Sequence, residues 1–297
     1  MLLVAMPDAP SPSGSLPVAR VLISCPDRPG IVAAVARFLA ERGANIVSSH
    51  QYSTDPDGGA FVMRVAFRFP TAEVDRAAFA AAFAVLAEAF AMTWHVRYDE
   101  DRPRVVLLAS RYDHCLLDLL WRWRRGELAA DVTQVISNHP DLREDVEAFG
   151  VPYVHVPVGG DGMAGAEAAM LDLLDPAPDL VVLARYMRIL SADFLDRVGC
   201  PVINIHHSFL PAFAGADPYA RARERGVKII GATAHYVTED LDAGPIIEQD
   251  VVRVDHSFEP GQLELVGRDI ERVVLARAVA KHLDDRVMVH GQRTIVF

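Results

Sequence analysis

The feature that most constrains the fold is a series of five short apolar segments between residues 104 and 207, separated by stretches with helical periodicity. The segments are RVVLLAS (104–110), DVTQVISN (131–138), YVHVPV (153–158), DLVVLARY (179–186) and PVINIHH (201–207). Strands that are apolar on both faces and alternate with helices are typical of a parallel sheet covered by helices on both sides. This region is therefore predicted to form a Rossmann-like α/β domain with a mostly parallel sheet.

The last third of the chain follows a different pattern. GATAHYVT (231–238) and PIIEQDVVRV (245–254) are predicted to be adjacent strands joined by the loop EDLDAG. A long helix over 261–283 and a short strand-like ending, RTIVF, follow them.

Residues 18–99 show a separate order of strand, helix, strand, strand, helix and strand. Asp57-Gly58-Gly59 is a strong hairpin signal between the second and third strands. This order predicts a ferredoxin-like βαββαβ unit. The charged segment DEDRPR marks the boundary, which gives a first domain over 18–100 and a second over 104–297. The Pro- and Ser-rich start, to residue 17, is predicted to be a disordered tail.

Charge and composition exclude several classes of function. The chain of 297 residues has a net charge of −11 and a pI near 5.4, which argues against a nucleic-acid partner. No apolar run approaches the ~20 residues that span a bilayer, so no membrane partner is expected. The three cysteines (Cys25, Cys115, Cys200) form no C-x-x-C pair, which favours a reducing cytoplasm over a disulfide framework or a zinc site.

Neither a metal nor a nucleotide cofactor is expected. The eleven histidines lack the H-x-x-x-H and H-E-x-x-H spacings. His206 and His207, adjacent on a strand, are expected to point to opposite faces. No G-x-G-x-x-G follows a predicted strand.

The densest polar cluster lies at the end of an apolar strand, in VINIHHSFLPAFAGADPY (202–219). Asn204 and His206 are two residues apart, so they project from the same face of the strand. Asn offers a neutral N–H to a developing oxyanion, and His moves a proton near neutral pH. For an isolated N-x-H, the simpler interpretation is a strand end that hydrogen-bonds backbone.

A second cluster changes that balance. His235 lies near the end of a predicted strand, and the loop after it carries Glu239, Asp240 and Asp242 before Gly244. Three acidic residues in a loop are usually solvated, but an Asp beside a His orients it, holds its charge or binds water. Together the two clusters predict an Asn–His–Asp site.

Several motifs resemble the formyltetrahydrofolate deformylase family, which has the folate-dependent formyltransferase fold. They are INIHHSFLPAFAGADPY, RGVKIIGATAHYVTEDLDAGPIIEQDV, DHCLLDLL, ISNHPDLR, VLARYMRIL and the ending RTIVF. CPDRPGIVAAVARFL (25–39) resembles an ACT small-molecule-sensing domain. The resemblance covers about residues 18–297 and implies an ACT regulatory domain followed by a formyltransferase-fold catalytic domain.

The resemblance also implies an activity and a set of roles. The reaction is hydrolysis of 10-formyltetrahydrofolate by water to formate and tetrahydrofolate, which supplies formate for purine biosynthesis and balances the one-carbon folate pool. The folate is a substrate and not a retained cofactor. Asp242, as base or water-positioning group, His206 and Asn204 are implied to be catalytic, with His235 supporting them. The pterin part of the folate is implied to be held near Met187, Arg188, Ile189 and Leu190, and by the backbone of the loop that contains Asp240, Leu241 and Ala243.

The alternative is a formyltransferase to a small amine, since the same triad serves both reactions. Transferases that act on a ribose-phosphate amine are expected to carry a Gly-rich loop after the first strand of the catalytic domain. Here RYDHCLLDLL has no glycine before Gly126, which favours water. Asp113 is predicted to cap the helix, and with His114 to border the acceptor pocket. A sensor without catalysis is the third hypothesis, disfavoured by the presence of all three catalytic residues.

Three further expectations concern positions outside the triad. Asp217 and Ala220 depart from the family pattern, which leaves the contacts of their loop with substrate open. His207 and Ser208 are as consistent with a structural role as with a functional one. Asp27 and Asn45 are candidates for an amino-acid effector site, although capping a helix and starting a strand explain them equally well. The small sheet's exposed edges predict a homo-oligomer, a dimer or tetramer.

Overall fold

The computed structural model describes residues 16–71, 73–160, 162–210 and 218–297. The predicted tail lies outside these ranges except for Leu16 and Pro17. The chain divides into two compact units, one that ends at Asp101 and takes in Phe297, and one over Arg102–Val296.

The first unit is an antiparallel sheet with two helices. Its strand order is β2-β3-β1-β4, and its aromatic core contains Phe67, Phe79 and Phe83. The predicted ferredoxin-like order is confirmed. The elements are β1 (Val18–Pro26), α1 (Ile31–Ala40), β2 (Asn45–Ser53), β3 (Ala60–Arg68), α2 (Arg76–Ala89) and β4 (Thr93–Tyr98).

The β2–β3 hairpin forms where the sequence predicts it, and it separates the two candidate effector residues. Asp27 lies just beyond β1, where its backbone N–H donates to Gly59 O (2.8 Å) and its carboxylate accepts from Ser53. Asn45 is exposed at the opposite end of the sheet, paired with Arg68. Within one chain, therefore, Asp27 and Asn45 do not form a common site.

The second unit contains a seven-stranded sheet in the order β11-β10-β9-β8-β5-β6-β7. Strands β7, β6, β5, β8 and β9 are parallel, and β10 and β11 are antiparallel additions. The mostly parallel sheet is confirmed. The elements are β5 (Arg104–Ala109), α3 (His114–Arg124), β6 (Asp131–Ser137), α4 (Arg143–Glu147), β7 (Tyr153–His155), α5 (Gly162–Leu173), β8 (Leu180–Ala184), α6 (Ala192–Val198), β9 (Val202–His206), α7 (Pro218–Glu224), β10 (Ile229–Tyr236), β11 (Ile246–Arg253), α8 (Pro260–Leu283), β12 (Val287–His290) and β13 (Arg293–Val296).

Two short elements were not predicted. Helix α7 is only seven residues long and rich in arginine, so it carries no apolar stripe that a sequence pattern reveals. Strand β12 begins four residues after α8 and pairs with β13 to form a separate two-stranded sheet. The predicted strand-like ending is thus half of a terminal hairpin.

The sheet order determines where a ligand can bind. From β5 the chain first proceeds through β6 and β7 on one side, and then returns to β8 and β9 on the other. The connections that leave the carboxyl ends of β5 and β8 run in opposite directions along the sheet. Open α/β sheets bind ligands at such a switch point. Two apolar layers cover the faces, one containing Leu107 with α3 and α8, the other Leu108 with α5 and α6.

All three cysteines are free thiols, and burial raises the pKa of Cys200 to about 11. Among the described residues, no helix combines the length and the apolar character needed to cross a membrane.

Candidate active site

The pairing of β9 with β10 places three polar side chains together. Ile203 and Ile205 are buried in the apolar core, so the alternation of the strand puts Asn204 and His206 on the other face. In the antiparallel register His235 is opposite Asn204, and Thr233 is opposite His206. This explains how His235, distant in sequence, reaches the Asn-x-His pair.

The loop after β10 brings Asp242 to these histidines. Asp242 Oδ2 lies 3.2 Å from His206 Nδ1, and Oδ1 lies 3.7 Å from His235 Nε2. Asp242 adopts a left-handed backbone conformation (φ 56°), which is uncommon outside glycine but accessible to Asp. The loop therefore turns sharply at the residue whose carboxylate enters the site.

Gly244 makes this close approach possible. A Cβ at Gly244 would lie 1.8 Å from the carbonyl oxygen of Tyr236, while Tyr236 N–H donates to Pro245 O at 3.0 Å. The loop backbone therefore packs directly on the end of β10, and only glycine fits.

We expect Gly244→Ala to lower kcat by about 10², because the methyl group must displace the loop and a shift of about 1 Å in a reacting group costs a factor of that order. Steady-state kinetics and a thermal melt would measure the change. Gly261→Ala is the matched control, since a Cβ there meets nothing within 4 Å. An unchanged kcat in Gly244→Ala would show that the loop does not determine the position of Asp242.

The hydrogen bonds fix the proton positions on both imidazoles. His206 Nδ1–H donates to Asp242, and its Nε2 is buried with no partner among the described residues. His235 Nδ1–H donates to the Tyr236 carbonyl at 2.9 Å, so its Nε2 accepts from Asn204 Nδ2 at 3.3 Å. In their neutral forms, His206 offers a free basic nitrogen and His235 orients the Asn204 amide.

The carboxylate between the histidines is ionised. The hydrogen bond from His206 holds the pKa of Asp242 well below its usual range. The group combines a carboxylate-bound imidazole, a free imidazole nitrogen and an oriented amide. Such a group can activate water against a carbonyl-like carbon and stabilise the resulting oxyanion.

A buried threonine holds the segment that follows His206, and the sequence analysis missed it. Thr233 Oγ1 donates to Ser208 O (2.9 Å) and accepts from Leu210 N–H (3.0 Å). Gln249 Nε2 donates to both Thr233 Oγ1 and Leu210 O. Threonine is common in strands, so its presence in the sequence does not indicate that it holds this segment. That role depends on the pairing of Thr233 with His206 across the two strands. Ser208 contributes here through its backbone.

The implied folate-binding segments flank the triad. Residues 185–190 follow β8 and residues 237–245 follow β10, and both strands neighbour β9. Met187, Ile189 and Leu241 expose half or more of their surface, whereas Leu190 is buried. Apolar side chains exposed beside a polar site form a surface that a flat aromatic ligand can cover.

A second polar network borders the triad, centred on Glu271. This carboxylate is 1% exposed and accepts from His114 Nε2 (2.8 Å) and from Tyr219 OH (2.8 Å). Arg185 Nε lies 3.3 Å from it. No sequence pattern indicates Glu271, since α8 also contains Glu264 and only packing distinguishes the buried glutamate from the other.

The structure corrects two expectations in this region. His207 does not point away from His206, because β9 ends at His206 and the two rings stack at 5.0 Å. Asp113 precedes α3 as predicted, but its side chain makes no capping hydrogen bond. His114 contacts Glu271, and its place at an acceptor pocket stays a prediction. Asp217 lies outside the described residues, and Ala220 is part of α7.

Side chains fill the turn after β5, which contains no glycine. Ser110 Oγ donates to Asn138 Oδ1 at 2.7 Å. The guanidinium groups of Arg185 and Arg268 lie over the Tyr112 ring, 4.9 and 5.4 Å from its centroid. Bulky side chains in place of glycine leave the backbone of this turn less able to wrap around a phosphate.

Comparison with known proteins identifies both units. Residues 103–279 match the family described as Formyl transferase, and residues 19–88 match the ACT domain. Formyltetrahydrofolate deformylase from Mycobacterium bovis is 57% identical over 282 residues, which cover 94% of this chain and 91% of that protein.

Solved structures give the same result. A formyltetrahydrofolate deformylase from Pseudomonas syringae pv. tomato has a TM-score of 0.90 and 49% identity, covering 96% of each chain. Glycinamide ribonucleotide transformylase 1 from Symbiobacterium toebii matches with a TM-score of 0.63 and 30% identity. That match covers only 67% of this chain and 96% of its own. The chain belongs to the formyltetrahydrofolate deformylase family, with an N-terminal ACT domain followed by a formyl transferase domain.

Proposed function

We propose that this protein hydrolyses 10-formyltetrahydrofolate to formate and tetrahydrofolate, with water as the acceptor. The observation that carries the proposal is the state of His206, whose Nδ1–H is bound by ionised Asp242 while Nε2 is free. An imidazole held in this way takes a proton from a nucleophile, and the carboxylate stabilises the imidazolium that forms.

The reaction proceeds in two steps. The water oxygen attacks the formyl carbon while one water proton passes to His206 Nε2, and the formyl oxygen becomes an oxyanion that accepts an N–H of Asn204. The carbon–nitrogen bond then breaks as the proton moves from His206 to the folate nitrogen. Formic acid leaves and ionises to formate.

Asp242 and His206 have different roles in the proposed mechanism. Since the pKa of Asp242 is held well below its usual range, its carboxylate is a weak base at neutral pH. Its contribution is to fix the His206 tautomer and to stabilise the positive charge on that ring. His206 carries the proton, and His235 acts through Asn204.

Water is favoured over a phosphorylated amine by the turn after β5, which has no glycine and carries the bulky side chains of Arg111 and Tyr112. A transferase to a phosphorylated amine needs backbone N–H groups there for the phosphate.

The decisive experiment is to incubate the purified protein with 10-formyltetrahydrofolate and no amine, and to quantify formate and tetrahydrofolate. We expect equal amounts of both over many turnovers. Turnover that begins only after an amine is added would make the protein a transferase and refute the proposal.

We propose that the ACT domain binds an amino-acid effector and that the protein is a homo-oligomer. We also propose that it works in the cytoplasm, where the formate it releases supplies purine biosynthesis. Strand β2 is exposed along most of its length at the edge of the sheet, which favours pairing between subunits. Asp27 is the candidate contact on one subunit and Asn45 on another. A screen of the amino acids for a change in kcat, with light scattering for mass, would test both parts.

The proposed mechanism uses no metal or other cofactor. His114, Cys115 and Glu271 place potential ligand atoms within 4.8 Å of one another, but Glu271 already accepts from His114 and Tyr219. We expect dialysis against EDTA to leave turnover unchanged. A loss that is restored by a divalent cation would contradict this.

A further inference from the structure

His207 is an imidazole beside the reacting groups that the proposed mechanism leaves unused. Its ring stacks on that of His206, with centroids 5.0 Å apart and an interplanar angle of 30°. It is partly buried, next to the Tyr219 ring at 6.2 Å. Two imidazoles this close would repel each other if both were protonated.

The proton position on His207 follows from its contact with Arg185. The guanidinium Nη1 lies 2.7 Å from His207 Nδ1. A guanidinium has only donors, so Nδ1 must be the acceptor, and a neutral ring then carries its proton on Nε2. The contacts described for His207 involve its Nδ1 and the face of its ring, and none of them occupies that Nε2–H.

Arg185 is itself fixed. It has a left-handed backbone conformation (φ 63°), uncommon for a long side chain, and it is only 7% exposed. Glu271 Oε2 lies 3.3 Å from its Nε. Burial alone would raise the pKa of Glu271, but the hydrogen bond from His114 and the charge of Arg185 outweigh it and hold that pKa below its ordinary value.

Five polar groups face His207 from separate elements. They are Arg185 after β8, His206 at the end of β9, Tyr219 on α7, Asp242 in the loop after β10, and Glu271 on α8. Burial, and then the charges of Arg185 and His206, lower the pKa of His207 to about 4, against the opposing effect of the two carboxylates.

We propose that Arg185, anchored by Glu271, is a positioning residue that holds His207 as a neutral imidazole with its proton on Nε2. His206 is then the only ring of the stacked pair that takes up a proton during hydrolysis. The His207 Nε2–H is left as a further hydrogen-bond donor to an oxygen of the substrate or the attacking water. This inference rests on the proposed hydrolysis for its kinetic consequence only.

The direct test is ¹⁵N NMR of the wild-type protein labelled at histidine. The His207 signals are identified by their loss in His207→Asn. We expect Nδ1 to have the shift of an unprotonated acceptor and Nε2 that of a protonated nitrogen, both constant between about pH 8 and pH 5.5. A protonated Nδ1, or titration of the ring near its ordinary value of about 6.5, would overturn the proposal.

The kinetic test is the acid side of the pH profile. In Arg185→Met, His207 loses its donor and a neighbouring cation while its burial and Glu271 remain, so its pKa should rise from about 4 toward its ordinary value. We expect kcat/KM to fall about two- to fourfold more than in wild type between pH 8 and pH 5.5. A profile that superimposes on wild type would refute the proposal.

Three further variants separate positioning from folding. Arg185→Lys keeps a charged donor and should restore most of the wild-type profile. Arg185→Met combined with His207→Asn should lose the additional acid sensitivity, because Asn does not titrate. Arg268→Met is the matched control, since Arg268 stacks on the same Tyr112 ring but pairs with Glu264. If the protein proves not to be a hydrolase, the NMR result still decides the tautomer.

Discussion

Replacing Asp242 with asparagine should lower kcat by about 10² to 10⁴ while leaving folate binding within about a factor of ten. The amide keeps the size of the side chain but carries no charge. The imidazolium formed on His206 therefore loses its stabilising partner, and the amide N–H can turn the ring to the wrong tautomer. Folate contacts in this loop are proposed to be made by backbone, which the substitution leaves in place.

Single-turnover kinetics with a separate binding titration would measure this effect. Glu239→Gln is the matched control, since it removes a charge from an exposed position in the same loop and should leave kcat unchanged. If Asp242→Asn loses binding and keeps kcat, the carboxylate holds the substrate and does not serve His206.

The part of the site that follows from local periodicity could be predicted from the sequence. Asn204 and His206 share a face because a strand alternates, and they lie at the end of an apolar run that must be buried. The acidic loop that contains Gly244 directly follows β10 in the sequence, so its position at the end of that strand could also be predicted. That Asp242 contacts both histidines depends on the register of β9 with β10, and no pattern within either strand determines it.

Residues that act through tertiary contacts could not be predicted. Glu271 looks like any other helical glutamate until α8 packs against the sheet. Arg185 follows an apolar strand, and its left-handed backbone conformation has no sequence signal. The prediction that His207 lies on the opposite face from His206 is wrong, because β9 ends at His206 and its alternation does not extend to the next residue.

Removal of the Asn204 amide should lower kcat about 10² to 10³-fold, because a single oxyanion donor contributes that much in a site from which water is excluded. Asn204→Ala also frees His235 Nε2, which accepts from Asn204 at 3.3 Å and lies 3.7 Å from Asp242. KM should change much less than kcat, since the oxyanion exists only in the transition state and intermediate.

The matched control is Asn45→Ala, an exposed asparagine in the other unit, which should leave basal turnover unaltered if no effector is present. Combining Asn204→Ala with Asp242→Asn should cost less than the product of the two single losses, because residues that act as a unit are not additive. Strict additivity would mean that the amide and the His206–Asp242 pair stabilise different steps. Equal losses in kcat and 1/KM for Asn204→Ala would place the amide on the substrate and not on the oxyanion.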